Sequence, residues 1–165
     1  YGGYYYDGRW VPVVERFVDF YGLTKESAVL DIGCGKGFFL HDLQNRLPGI
    51  TIAGLDISTY AKENSMESVK PFFTVGNALS LPYQDKSFNV VVAINVIHNL
   101  KRPQAIMALR EIMRVSRGYA YVQVDSFRNE QEKENIDRWQ LTAETVLSPD
   151  GWRELFAEAG YTGAY

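Results

Sequence analysis

The chain has 165 residues, 46% hydrophobic and 22% charged, enough for a single domain that buries roughly 70% of its unfolded surface. Its 17 Lys and Arg against 20 Asp and Glu give a net charge of −3 with no basic block, which argues against a DNA partner. A single cysteine, Cys34, excludes an intrachain disulfide, and no apolar run approaches the ~18–20 residues that span a bilayer, so a cytoplasmic protein with no membrane partner is expected.

The aromatic opening YGGYYYDGRW leads into an apolar pattern at helical spacing, Val13, Val14, Phe17, Val18 and Tyr21, which Gly22 ends. AVLDI (28–32) reads as a short strand, and 38–47 places Phe39, Leu40, Leu43 and Leu47 on one face of a helix. A second strand is expected over 51–57, a more polar helix over 58–69, a third strand over 72–78 and a fourth over 89–95. The fourth, NVVVAIN, is apolar enough to be buried on both faces. A helix opening on Pro103 runs to 115, a fifth strand covers 119–125, and a last helix, 149–160, stops at Gly160. Strands and helices alternate through short links, which predicts an α/β, doubly wound, mostly parallel sheet of Rossmann-like type in one domain. Its parts are an N-terminal lid and helix (1–27), a core (28–125) and a cover with the last helix (126–165). The start at Tyr1 rather than methionine, and the end at Tyr165 just after the first residues of a further strand, suggest a piece of a longer protein.

Two stretches break the alternation: 77–88, and 126–148, whose first part (128–135) reads as a solvated charged face or a lid tip. The second follows a strand C-terminus, the end of an open α/β sheet where ligands bind. The loop LDIGCGKGFF (30–39) carries glycines at 33, 35 and 37. Aligning the dinucleotide fingerprint on Gly33 and Gly35 puts Phe38 where the third glycine belongs, which weighs against a nicotinamide oxidoreductase. Asp31 repels a pyrophosphate and attracts an ammonium group. A nucleoside with an amino group and a sulfonium at its other end suits the loop. Asp56 ends the second strand 25 residues after Asp31, where it can accept ribose hydroxyls, and Asn77 and Ala78 offer an amide and a small residue to an adenine edge.

In VLDIGCGKGFF (29–39), GLDIS (54–58), NALSLPYQDKSFNVVVAINVIHNL (77–100) and ALREIMRV (108–115), the sequence resembles a class I S-adenosylmethionine-dependent methyltransferase. The loop LPYQDKSF is similar to the small-molecule branch, methyltransferase type 11 with the ubiquinone-type enzymes. The resemblance implies seven strands, the last antiparallel; five and the start of a sixth are placed, so the end of the sheet is absent or lies beyond Tyr165. It implies that S-adenosylmethionine binds, with S-adenosylhomocysteine as product, and that Asp31, Gly33, Cys34 and Gly35 hold the methionine part. It assigns the ribose to Asp56, the adenine face to Ile57, the adenine edge to Asn77 and Ala78, and the neighbourhood of the sulfonium to Asn95. The family usually has aspartate where Asn77 stands, which removes a fixed charge and keeps a hydrogen-bonding group. Cys34 needs only to be small.

Methyl transfer requires alignment, exclusion of water and at times a base. Tyr4, Tyr5, Tyr6, Arg9 and Trp10 are candidate lid residues, with ordinary packing or a frayed end as the alternative. His98 is the candidate base, or else a capping or structural histidine. Trp139, with Gln140 and Thr142, either lines the substrate side or belongs to a cover packed on the sheet through Trp139 and Leu141. Asp125 and Asn95 alone are too few for a hard cation, so no metal is expected. The fourth strand ends in AINVIH, without the Pro-Pro-aromatic grip of amino-methylating DNA enzymes. The expected function is methyl transfer to a small molecule, such as a sugar or natural-product intermediate. A non-catalytic cofactor-binding partner or regulatory module, and a protein or RNA methyltransferase, are the alternatives, and the oligomeric state stays open.

Overall fold

Strand β1 (Ala28–Ile32) is apolar except at Asp31, and it takes the centre of the sheet because both of its edges find parallel partners. The computed structural model describes residues 4–165; Tyr1, Gly2 and Gly3 of the expected lid lie outside the described residues. β2 (Thr51–Asp56) and β3 (Phe73–Val75) follow on one side of β1, and β4 (Phe88–Ile94) and β5 (Ser116–Gln123) on the other, giving the order β3-β2-β1-β4-β5. All four ladders are parallel, as the alternation of strands and helices predicts. After the last helix, Ala164 N–H donates to Ala120 O at 2.9 Å and Ala164 O accepts from Val122 N–H at 3.0 Å, a single parallel bridge beside β5.

The period of two along the strands sorts the core into two layers. Val29, Ile52, Val90 and Val92 face α1 (Val11–Tyr21) and α2 (Phe38–Arg46). Leu30, Ile32, Val91, Ala93 and Val122 face α4 (Arg102–Val115) and α6 (Pro149–Ala159), with Leu109, Ile112 and Leu155 wholly buried. Each such Leu or Ile contributes about 1.5–3 kcal/mol on burial. Asp31 has the parity of Val29, so its carboxylate points toward the α1–α2 layer.

Three elements differ from the sequence reading by three residues or more at one end, each for a local reason. Helix α3 is five residues (Thr59–Glu63) rather than a helix over 58–69; Ser58 caps it, and Met66 N–H then turns back to Lys36 O at 2.9 Å. β3 is short because Pro71 sits in a 3-10 turn before it and Asn77 Oδ1 accepts from Leu79 N–H just after it. β5 starts three residues early, across a bulge between Phe88 and Val90 of its partner. Segment 126–148 contains helix α5 (Glu130–Trp139), capped by Asn129, and a bridge between Ser126 and Leu147 closes the segment at its base. The charged run 128–135 is thus the first half of a solvated helix, with Glu130 and Glu132 suited to its N-terminal dipole.

Arg114 of α4 fixes the loop between β3 and β4. Its guanidinium donates to Leu81 O (3.0 Å), Tyr83 O (2.8 Å), Asp85 and Glu111 (2.7 Å each), while Glu111 also accepts from Leu81 N–H. Replacing Arg114 with Met removes the guanidinium donor from two carbonyls and two carboxylates. A loss of about 1–3 kcal/mol is expected, read as a lower urea midpoint at an unchanged m-value.

Candidate active site

The strand order reverses between β2 and β4 on the two sides of β1, so connections leaving β1 and β4 part and open a crevice at the C-terminal edge. Gly33 N–H and Cys34 N–H donate to Leu55 O at 2.6 and 3.2 Å, and Gly35 N–H donates to Asp56 Oδ2 at 2.9 Å. The glycine loop is therefore pinned across the end of β2. At Gly33, φ is +70° and a Cβ would lie 2.2 Å from Val96 Cγ2. At Gly35, φ is +54° and a Cβ would meet nothing within 4 Å, so bare backbone faces the crevice. Cys34 is buried with its sulfur against Gly54; burial pushes its thiol well up, with the charges of Asp31 and Asp56 adding to that, so it fills space and is no nucleophile.

Asp31 forms the floor of a cavity of about 250 Å³ with Trp10, Gly35, Lys36, Phe38 and Tyr60 among its walls. Its side chain is buried, and among the described residues its carboxylate has no hydrogen-bond or ionic partner. Burial pushes its pKa up to about 8, and the nearby Asp56 charge adds to the shift. A buried carboxylate with no cation is an unfilled requirement. Lys36 and Tyr60 on this rim escaped the sequence reading; Lys36 donates to Tyr4 O at 2.8 Å and sits 5.6 Å from the Tyr60 ring centroid. Their only sequence signal is proximity, one inside the glycine loop and the other just past Asp56.

Through Gly33 this cavity adjoins a second, of about 350 Å³, lined by Asp56, Ile57, Asn77, Ala78 and Asn95. Asp56 accepts from Gly35 N–H and Ser58 N–H at 2.9 Å, one bond on each oxygen, so each oxygen keeps capacity for a ligand hydroxyl. Ile57 is 73% exposed, an apolar face open at the rim. Asn77 is exposed; its Oδ1 accepts from Leu79 N–H, and its N–H₂ has no partner among the described residues. The two cavities together form an extended cleft, acidic at one end and carrying a carboxylate and an apolar face at the other. The shape and donor set fit S-adenosylmethionine.

Asn95, just past β4, is in the left-handed region at φ +58°, and its Oδ1 is buried without a partner among the described residues. It also lines a third cavity of about 510 Å³ with His98, Asp125, Trp139, Gln140 and Thr142. The structure therefore brings His98 and Trp139 together, but it corrects the role expected of His98. Asp125 N–H donates to His98 Nδ1 at 3.0 Å, which occupies the lone pair that a base needs and places the ring proton on Nε2. Burial lowers the pKa of His98, against the opposing Asp125 charge 3.7 Å away, and the ring braces the turn after β5 through its Nδ1 contact. Packing of α5 through Trp139 and Leu141 is also corrected: they are 57% and 91% exposed, and Ile136 is the buried anchor. Among the described residues, no three His, Cys, Asp or Glu gather into a metal-binding cluster.

The N-terminal segment divides. Tyr4 and Trp10 line the Asp31 cavity, Trp10 edge-to-face with Phe39. Arg9 pairs with Asp7 at 2.6 Å and lines a neighbouring groove with Asn95 and Tyr121. Tyr5 is 84% exposed and lines none of these cavities. Tyr6 donates to Asp42 Oδ1 at 2.5 Å and packs on Phe38 and His41, so it anchors the segment to α2 instead of facing the cleft. Among the described residues no helix is long and apolar enough to cross a membrane.

The methyltransferase domain family matches residues 30–122. A protein of Encephalitozoon cuniculi assigned as a methyltransferase is 27% identical over 169 aligned positions, covering 90% of this chain and 76% of that protein. Norajmaline N-methyltransferase of Rauvolfia serpentina is 32% identical over 117 positions, covering 66% of this chain and 39% of that enzyme. Three curated relatives, the norajmaline enzyme among them, are spanned over only 39–60% of their length. Among solved structures, a chain from the complex between the Haloferax volcanii Trm112 methyltransferase activator and a methyltransferase superposes with a TM-score of 0.68. It is 24% identical, covering 93% of this chain and 73% of that one, a likeness of fold.

The raised value of Asp31 has a consequence for stability. The folded, ligand-free protein keeps a proton on Asp31 that the unfolded chain releases near the usual 3.8, so stability falls as pH rises from about 4 to about 8. Asp31→Asn removes this term. The variant is expected to melt above the ligand-free wild type near pH 8, by about 1–3 kcal/mol in stability, while losing affinity for S-adenosylhomocysteine. Thermal melts across that pH window and calorimetric titration check both.

Proposed function

The chain belongs to the methyltransferase domain family, with S-adenosylmethionine as its cofactor, and we propose from that premise that it transfers the methyl group to a small-molecule acceptor. The observation that carries this reading is the buried, partnerless Asp31 carboxylate at the floor of a cleft that continues to Asp56. In this reading Asp31 receives the ammonium group, Lys36 the carboxylate, and the backbone of Gly33 and Gly35 lies along the methionine chain. Asp56 accepts the ribose hydroxyls, Ile57 and Ala78 enclose the adenine, and Asn77 donates to its edge. Bound there, the cofactor supplies a methyl carbon made electrophilic by positively charged sulfur.

The protein's own contribution is alignment and exclusion of water. Asn95 stands where the cofactor cleft meets the third cavity, the position from which an acceptor approaches in line. Tyr4 and Trp10 form the lid over the methionine end. His98 Nδ1 already accepts the Asp125 amide, so in this reading His98 supports the turn after β5 and does not act as a base. A small metabolite, such as a sugar or natural-product intermediate, is favoured over a polymer. The third cavity, at about 510 Å³, has the scale of a small-molecule site, and the sequence has no basic stripe for a nucleic-acid backbone.

The test is to titrate S-adenosylhomocysteine calorimetrically and to follow a labelled methyl group from S-adenosylmethionine into a metabolite extract. Binding together with a labelled small-molecule product is expected. Tight binding with no product in any extract indicates a cofactor-binding module, and label in protein or RNA indicates a macromolecular acceptor. Removing residues 1–10 is expected to weaken cofactor binding several-fold; unchanged affinity and turnover contradict the lid.

A further inference from the structure

The acceptor cavity has a chemical bias that narrows its substrate. Asp125, just past β5, is the one carboxylate among the described residues that line it, and none of those residues is a Lys or Arg. The Asp125 side chain is 27% exposed; Oδ2 accepts from Gln140 Nε2, and Oδ1 has no partner among the described residues. His98 stands 3.7 Å away but does not neutralise this charge, because its Nδ1 lone pair already accepts the Asp125 backbone N–H. Two further acceptors, Asn95 Oδ1 and Gln140 Oε1, are buried in the surrounding side chains without partners. Trp139 lines the same space with its ring 57% exposed. A carboxylate beside an open aromatic side chain, with no Lys or Arg among the described lining residues, complements an ammonium group and repels a carboxylate or phosphate.

We propose that the acceptor substrate is an amine, held through its protonated nitrogen by Asp125 and Trp139. This assignment rests on the methyltransferase reading above. Leu141, 91% exposed at the mouth of the cavity, offers apolar surface to the carbon skeleton that carries the nitrogen. Before transfer the ammonium gives one proton to Asp125, which passes it to water. The freed nitrogen lone pair then forms the N–C bond as the methyl carbon–sulfur bond breaks. The electron pair of that bond stays on sulfur, leaving S-adenosylhomocysteine, and the positive charge moves to the methylated nitrogen. No metal or redox partner enters the balance.

The test measures binding with three probes of similar size, phenethylamine, 2-phenylethanol and 3-phenylpropionate, on protein saturated with S-adenosylhomocysteine, by ligand-observed NMR. The wild type is expected to bind phenethylamine at least tenfold more tightly than 3-phenylpropionate, and more tightly than the alcohol. Asp125→Asn should abolish that preference, and Trp139→Ala should weaken amine binding several-fold. Trp139 is half-exposed, so its variant keeps the question open to measurement if Asp125→Asn does not fold. Absence of amine binding, equal or stronger binding of the alcohol or carboxylate, or an amine preference that survives Asp125→Asn overturns the proposal. Failure of the wild type to bind S-adenosylhomocysteine counts against the methyltransferase reading itself and is seen before any probe is added.

Discussion

The site is organised around a largely buried carboxylate that has no hydrogen-bond or ionic partner among the described residues. Asp31 sits on the central strand of a parallel sheet, one residue before the chain turns into the glycine loop. The sheet leaves it no escape: β2 and β4 flank it, α2 and its phenylalanines close over it, and the second acid, Asp56, raises the cost of its charge. Such an arrangement destabilises the ligand-free fold, and a cationic ligand relieves it. The surrounding backbone is built to admit that ligand. Gly33 must lack a side chain because Val96 fills the space, and Gly35 leaves open backbone toward the crevice.

The same loop explains why two strands and one helix are read as a unit. Asp56 accepts from Gly35 N–H and from Ser58 N–H, so one side chain sets both the loop after β1 and the start of α3. The Leu55 carbonyl receives two more loop amides. The geometry of the glycine loop and of the Asp56 side chain is therefore coupled through the end of β2. A change at Asp56 is a change to the loop as well as to any hydroxyl it accepts.

Much of this was legible in the sequence because it follows from patterns with short range. β1, β2, β4 and the helices beginning at residues 11, 38, 102 and 149 lie where the apolar spacing and the Gly and Pro signals predict them. The acids that end or nearly end β1 and β2 were visible as Asp31 and Asp56 for the same reason. What escaped depends on contacts between distant segments. Tyr6 looked like its lid neighbours until Asp42, 36 residues away, claimed its hydroxyl. His98 looked like a base until the amide of Asp125, 27 residues away, occupied its nitrogen. Lys36 and Tyr60 carry no motif of their own and join the rim only because α3 is short and turns back on the glycine loop. The makeup of the third cavity is likewise a product of the fold, since Asn95, Asp125 and Trp139 come from three separate elements.

The account turns on the protonation of Asp31, and carboxyl-carbon NMR of the protein labelled at aspartate reads it directly. Titrated without ligand, Asp31 should ionise near pH 8, well above an ordinary aspartate, because of burial and the neighbouring Asp56. With saturating S-adenosylhomocysteine, the ammonium should draw that midpoint down by more than one pH unit. An Asp31 that titrates near pH 4 in the free protein, or whose midpoint does not move on binding, contradicts the claim that this carboxylate waits for a cation.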